Sequence, residues 1–169
     1  LMRFVDVFLA FPLILLALSL ASILGPSLQN LVLVMGLTGW MVYARTIRSA
    51  VLNLREREFV LAAQSLGTPP VRIVLRHILP NVIAPAVVLF TFGFAQFIIL
   101  ESALSYLGLG IPPPTPTWGR MLNEGRDYLT TAWWITTFPG IAIMLTTLVL
   151  NFIGDGLRDA MDPRLRKIL

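Results

Sequence analysis

Of the chain's 169 residues, 56% are hydrophobic and 13% are charged, whereas about 25% of a typical soluble domain is charged. This composition excludes an ordinary soluble globular domain and predicts a bilayer protein, so the net charge of +4 must be judged by where the basic residues lie. With no cysteine and one histidine, the sequence contains neither a disulfide framework nor the ligands of a Cys/His metal cluster.

The first two predicted spans form a hairpin. No charged residue occurs between Asp6 and Arg45, and this stretch is long enough for two membrane helices of about 20 residues each. The Gly-Pro-Ser sequence at 25–27 favours a turn followed by a helix N-cap. The first apolar run is longer than the core of a signal peptide, so we interpret it as a span and not as a cleaved signal. We predict spans over 4–24 and 28–50.

Two further uncharged runs predict a third and a fourth span. The run over 77–100 has two prolines near its start, where the missing N–H costs a helix least. The run over 128–154 opens on a tryptophan pair of the kind found at bilayer interfaces. We expect helices over 82–104 and 134–153, and therefore an all-α membrane protein with four transmembrane helices.

Lys and Arg concentrate on one side of these four spans. The positive-inside rule places that side in the cytoplasm, together with both chain ends, the connection 51–81 and the tail 154–169, while the connection 105–132 lies outside. Since topology explains the charge and no basic stripe with interleaved aromatics remains, we expect no nucleic-acid partner. The outer side has Arg120 and Arg126, and the cytoplasmic side has Arg3, Arg45, Arg48, Arg55, Arg57, Arg72, Arg76, Arg158, Arg164, Arg166 and Lys167.

The cytoplasmic connection predicts two short helices with a bend between them. Apolar residues recur at helical spacing over 54–66. Gly67 supplies a permissive helix C-terminus, and the prolines after it stop the helix. Thr68 is the expected N-cap and Pro69 the first residue of a second helix, which carries Arg72. The apolar face of the first helix consists of Phe59, Ala62, Ala63 and Leu66.

Two interpretations of this amphipathic segment remain open from the residues alone. It is a docking surface for a partner protein, in which Phe59 and Leu66 would each contribute about 1.5–3 kcal/mol if fully buried. Alternatively, its apolar face rests on the membrane interface, as that of many amphipathic helices does.

The run EREFVLAAQSLGTPPVRIVLRHILPN resembles the EAA signature of permease subunits of ATP-binding-cassette (ABC) importers. Ala62, Ala63, Gly67 and the Ile-Leu-Pro triplet at 78–80 match that signature. The similarity is closest to the dipeptide, oligopeptide and nickel permease branch, with which FVDVFLAFP, LSYLGLGIPPPTPTWGRML and GDGLRDAMDPRLR also agree, so it covers nearly the whole chain. The signature's glutamate is replaced by Leu61, although Glu58 lies one turn earlier.

The resemblance implies a type I ABC importer permease of about six spans, of which this chain carries the C-terminal four. It also implies that 51–81 contains a coupling helix seated in a groove of a cytoplasmic ATPase, whose closure would move the attached spans. The residues expected to couple to the ATPase are Glu58, Phe59, Ala62, Ala63, Leu66, Gly67 and Arg72.

The implied partners are a second, homologous permease subunit, two cytoplasmic ATP-binding subunits and an extracytoplasmic substrate-binding protein. They would assemble in a bacterial or archaeal cytoplasmic membrane and import a peptide, a nickel chelate or glutathione. The sequence has no Walker-type phosphate loop and no nucleophile–base–acid set, so ATP-Mg would be bound and hydrolysed by the partner, and this chain would be no enzyme. The alternative is a passive channel or an ion-coupled transporter without an ATPase. Only the coupling segment distinguishes an ATP-driven importer from this alternative.

Two polar residues of the third predicted span are candidates for the wall of a translocation pathway. Glu101 lies near the outer end, where a carboxylate avoids most of the cost of about 2.5–3.5 kcal/mol that it would carry at mid-bilayer. Gln96 lies about a turn and a half deeper. For both residues, a hydrogen bond between helices is an alternative role, and for Glu101 an interfacial charge is another.

Overall fold

The computed structural model describes residues 2–161, and in this part the chain forms helices joined by turns and no β-strand. Three of the helical segments have 28 residues each, about 42 Å at 1.5 Å per residue. The predicted all-α fold is confirmed. The helices are α1 (Met2–Leu9), α2 (Leu13–Leu24), α3 (Leu28–Arg55), α4 (Glu58–Ser65), α5 (Pro70–Ile73), α6 (Leu79–Tyr106), α7 (Trp118–Gly125) and α8 (Trp134–Met161), with a π-helical stretch over Val74–Ile78 and a 3-10 turn over Arg126–Tyr128.

Within the described part of the chain, three continuous helices are long and apolar enough to cross a bilayer: α3, the helix that joins α5 to α6, and α8. The bent pair α1 and α2 makes a fourth candidate span if it is taken as one. The expected spans 28–50, 82–104 and 134–153 lie inside these helices, which extend further because residues such as Arg and Leu favour helix outside the bilayer as well. Of the expected tail, 154–161 is helical, and 162–169, with Arg164, Arg166 and Lys167, lies outside the described residues.

The first span is not the single helix that 4–24 predicts, because the chain bends by 96° between α1 and α2. Pro12 causes the break. It has no N–H to donate, it occupies the N-cap position of α2 with a non-helical ψ of 126°, and it disfavours helix at Phe11 before it. The N–H of Phe11 ends α1 by donating to the carbonyl of Phe8 at 3.2 Å.

The turn between α2 and α3 is the one that the sequence predicts. Gly25 has a φ of +80°, which favours glycine. Ser27 is the N-cap of α3, and its side chain accepts a hydrogen bond from the Asn30 N–H at 3.0 Å. The Asn30 amide group also donates to the Leu24 carbonyl at 2.6 Å. These bonds satisfy backbone groups that a helix end in a bilayer would otherwise leave unpaired.

The second helix of the 51–81 connection is not a separate short helix. Pro69 is its N-cap and Pro70 its first residue, one position later than expected, so Thr68 does not cap it. From Pro70 the chain continues as one helix of 37 residues to Tyr106. The expected helix-turn-helix is therefore a short helix, α4, followed by the extended start of a span.

The helix continues past Pro80 because it widens just before that residue. Val74–Ile78 is π-helical, and the N–H of Leu79 donates to the carbonyl of Val74. Pro80 has no N–H and its ring crowds the preceding turn, and the wider turn relieves that clash. The side-chain amide of Asn81 donates to the carbonyl of His77 at 2.7 Å, so a side chain replaces part of the interrupted backbone pattern.

Two clusters of buried apolar side chains hold the helices together, one at each end of the bundle. Between them, Gly154 lets α8 approach α6, because an added Cβ would lie 2.7 Å from the Thr91 hydroxyl and 3.2 Å from the Phe92 ring. The α2 cluster consists of Ala17, Ala21, Leu31, Val34, Leu100 and Leu104, and the α4 cluster of Val60, Ala63, Ile73, Ile78 and Val82.

Candidate functional site

Helix α4 is fixed to both of the long helices that it connects. Val60 and Ala63 turn inward and are buried in the α4 cluster. On one side they pack with residues of the α5–α6 helix, and on the other side the end of α3 covers the same cluster. The position of α4 is therefore set by packing against both long helices. The partly buried α3 residues against this cluster are Ile47, Ala50, Val51 and Leu54.

The turn after α4 depends on Gly67. Its φ of +72° lies in the left-handed region, which costs other L-residues about 1–2 kcal/mol. The N–H of Gly67 donates to the carbonyl of Gln64 at 2.9 Å, and the N–H of Thr68 donates to that of Ala63 at 3.1 Å. This pair of bonds is a Schellman motif, so the expected role of Gly67 as a helix terminator is confirmed.

The face of α4 next to the α4 cluster, about a quarter turn around the helix from Val60 and Ala63, is apolar and exposed. Leu66 is 85% exposed and Phe59 is 44% exposed, and Ala62 lies between them on the same face. The structure divides the expected face, because Ala63 belongs to the buried side. The flanking charged residues Glu58 and Arg72 are exposed as well.

At the other end of the bundle, an open groove of about 680 Å³ lies between α3, α6 and α7. Glu101 lines it from α6, while most of the wall is apolar or aromatic. The Ser105 hydroxyl donates to Oε1 of Glu101 at 2.6 Å, and the Ser102 hydroxyl lies 3.5 Å from Oε2. The carboxylate is thus oriented by α6 itself. The aromatic residues of the wall are Phe94, Phe97 and Trp118.

Gln96 does not join Glu101 in this groove. It is exposed, and five residues of α-helix place it about 140° around α6 from Glu101. The two pathway candidates therefore point in different directions, and only Glu101 faces the groove.

Helix α7, which forms one wall of the groove, was not expected from the sequence. Thr117 caps it by accepting a hydrogen bond from the Arg120 N–H at 3.2 Å. Gly119 packs so closely on α6 that an added Cβ would lie 2.6 Å from backbone atoms of Ser102. The N-cap threonine before Trp118 was the available signal, although the four prolines of 112–116 obscured it.

Comparison with known proteins gives a family match over almost the whole chain. The family described as "Binding-protein-dependent transport system inner membrane component" matches residues 1–167. The chain is 47% identical over 164 residues to the dipeptide transport system permease protein DppC of Alkalihalophilus pseudofirmus, with 97% of this chain and 54% of that protein covered. It is 45% identical over 166 residues to the dipeptide transport system permease protein DppC of Escherichia coli K12, with 98% and 55% covered.

A third relative is named for both dipeptides and tripeptides. The di/tripeptide transport system permease protein DppC of Pseudomonas aeruginosa is 43% identical over 165 residues, with 98% of this chain and 54% of that protein covered. The chain spans about half the length of the curated relatives it matches.

Proposed function

Because the chain belongs to the family of binding-protein-dependent transport system inner membrane components, we propose that it forms part of the permease of an ATP-driven peptide importer. The relatives named as dipeptide and di/tripeptide permeases support a peptide as the solute. The apolar helices support a multi-pass protein of the bacterial inner membrane. Transport would proceed by alternating access, with the nucleotide bound by other subunits.

The observation that carries this proposal is the exposed apolar face of α4. Phe59, Ala62 and Leu66 form an exposed apolar strip on a helix that is anchored by the neighbouring residues Val60 and Ala63. Burying a side chain as exposed as Leu66 contributes about 1.5–3 kcal/mol. We infer that this strip seats in a groove of a cytoplasmic ATP-binding subunit, with Glu58 and Arg72 at its edge. A loop lying freely on the membrane surface would not need the anchoring contacts of Val60 and Ala63.

The orientation follows from the same proposal. The α4 end of the described chain carries Arg48, Arg55 and Arg57, and the positive-inside rule places such an end in the cytoplasm. The groove beside Glu101 then opens toward the outside, where a substrate-binding protein would deliver the peptide. A second permease subunit would complete the pathway against the long helices.

The substitution of leucine for the signature glutamate does not weaken this proposal. Leu61 lies on the flank of α4, where it lines a surface groove of about 300 Å³ with Arg55 and Gln64. It is not part of the strip formed by Phe59, Ala62 and Leu66. Docking through that strip therefore needs no carboxylate at 61.

The test is to add a charge to the strip in the intact transporter. Leu66→Arg should abolish co-purification of the ATP-binding subunits and ATP-dependent peptide uptake, because an arginine cannot be buried there without a partner. Gln64→Arg adds the same charge on the other flank and should preserve both. Normal assembly and uptake by the Leu66→Arg protein would refute the docking proposal, and wild-type uptake without ATP would favour a passive channel.

A further inference from the structure

The groove at the α7 end presents one carboxylate surrounded by apolar and aromatic side chains. Glu101 faces it from α6, and the lining residues include no Lys or Arg. An anionic ligand would find no opposite charge among them. A cationic group, in contrast, would meet the only charged side chain in the lining.

Within residues 2–161, Glu101 has no cationic partner. The ion pairs of this part of the chain join Arg45 to Asp6 and Arg120 to Glu124. The Glu101 carboxylate instead accepts a hydrogen bond from the Ser105 hydroxyl and lies near the hydroxyl of Ser102. A carboxylate has about four lone-pair sites, so two serine donors orient the group and leave acceptor positions unused.

The aromatic wall fits the same kind of ligand. Phe94 is 49% exposed and Trp118 is 41% exposed, so their rings remain accessible in the groove. The face of an aromatic ring attracts an ammonium ion, most strongly in tryptophan. An apolar side chain next to that ammonium would pack on the remaining wall, formed by residues such as Leu31, Met35 and Ile98.

We propose that Glu101 binds the ammonium group of the transported solute, and that the groove selects small amines carrying an apolar body, such as the free N-terminus of a peptide. This inference rests on the proposed function for the identity of the solute. Ser105 acts as a positioning residue that holds the carboxylate toward the groove.

The test measures binding to the complete transporter in nanodiscs without the binding protein. The probes are radiolabelled Phe-Ala dipeptide and its N-acetyl derivative, which differ in the ammonium group. Glu101→Gln should weaken binding of the free-amine probe at least about tenfold, through loss of a charge-assisted contact, and change the acetylated probe less than about twofold. The matched control is Glu124→Gln, which alters a carboxylate of the same end outside the groove and should change neither.

Ser105→Ala keeps the charge of Glu101 and removes the 2.6 Å donor, so it should weaken only the free-amine probe, by about two- to threefold. If the Glu101→Gln transporter fails to assemble, Ser105→Ala still tests the inference. Equal binding of both probes by the wild type, or an unchanged free-amine affinity in both variants, would overturn the inference. ATP-dependent uptake of Phe-Ala by the wild type is measured separately, and its absence counts against the proposed function alone.

Discussion

Replacement of Gly67 by alanine isolates the energetic role of the turn after α4. No atom lies within 4 Å of where a Cβ would be added, so the substitution creates no clash and acts through the backbone. The φ of +72° costs alanine about 1–2 kcal/mol. Local opening of the turn should therefore become about 5–30-fold more frequent.

Hydrogen exchange of the peptide that covers 62–70 measures this opening directly. The relevant amides are those of Gly67 and Thr68, which close the Schellman motif. Gly36→Ala is the matched control, since it too meets nothing within 4 Å but lies inside α3 without a positive φ. There alanine should be neutral or stabilise by up to about 1 kcal/mol. Unchanged exchange after Gly67→Ala would refute the assignment of strain to this turn.

Two further predictions concern helix packing and capping. Gly154→Ala should lower the thermal stability of the detergent-solubilised protein by about 1–3 kcal/mol, because the new Cβ would lie 2.7 Å from a threonine hydroxyl of α6. Gly156→Ala places the same methyl in open space and should leave the thermal stability unchanged. An equal loss of stability in both variants would contradict the close helix contact. Ser27→Ala removes the cap that accepts from the Asn30 N–H and should cost about 1 kcal/mol. Ser27→Asp should restore most of that loss in the same melting experiment, and a neutral Ser27→Ala would rule out a stabilising cap.

The three continuous candidate spans could be predicted from the sequence because the absence of charge over long runs is itself a requirement of the bilayer. The single helix expected over 4–24 was wrong. The ends of the helices could not be predicted in this way. Hydropathy marks where lipid begins, whereas the helix from Pro70 onward crosses that boundary without a break. Pro12 was a signal for the bend before α2. The length of the apolar run nevertheless favoured a single helix over 4–24.

In the candidate site, too, local features could be predicted from the sequence and features that depend on tertiary packing could not. The exposure of Phe59 and Leu66 and the role of Gly67 follow from local spacing and backbone preference. The burial of Ala63 does not, because it depends on where the end of α3 lies in space. Ser105 was recognisable as a partner of Glu101, since residues four apart meet on one helix face, but α7 and its tryptophan reach the groove only through tertiary packing.

The unbroken helix from Pro70 to Tyr106 has a thermodynamic consequence for the two ends of the molecule. Its 37 residues span about 55 Å at 1.5 Å per residue, so a tilt of about 5° displaces one end by about 5 Å relative to the other. Suppose that a ligand beside Glu101 prefers one tilt of this lever. Binding of that ligand then changes the affinity of the α4 strip for its partner by some factor. By thermodynamic linkage, binding of the partner changes the affinity of the groove for the ligand by the same factor. The ligand in the groove and the partner of the α4 strip would thus influence each other's binding through this one helix.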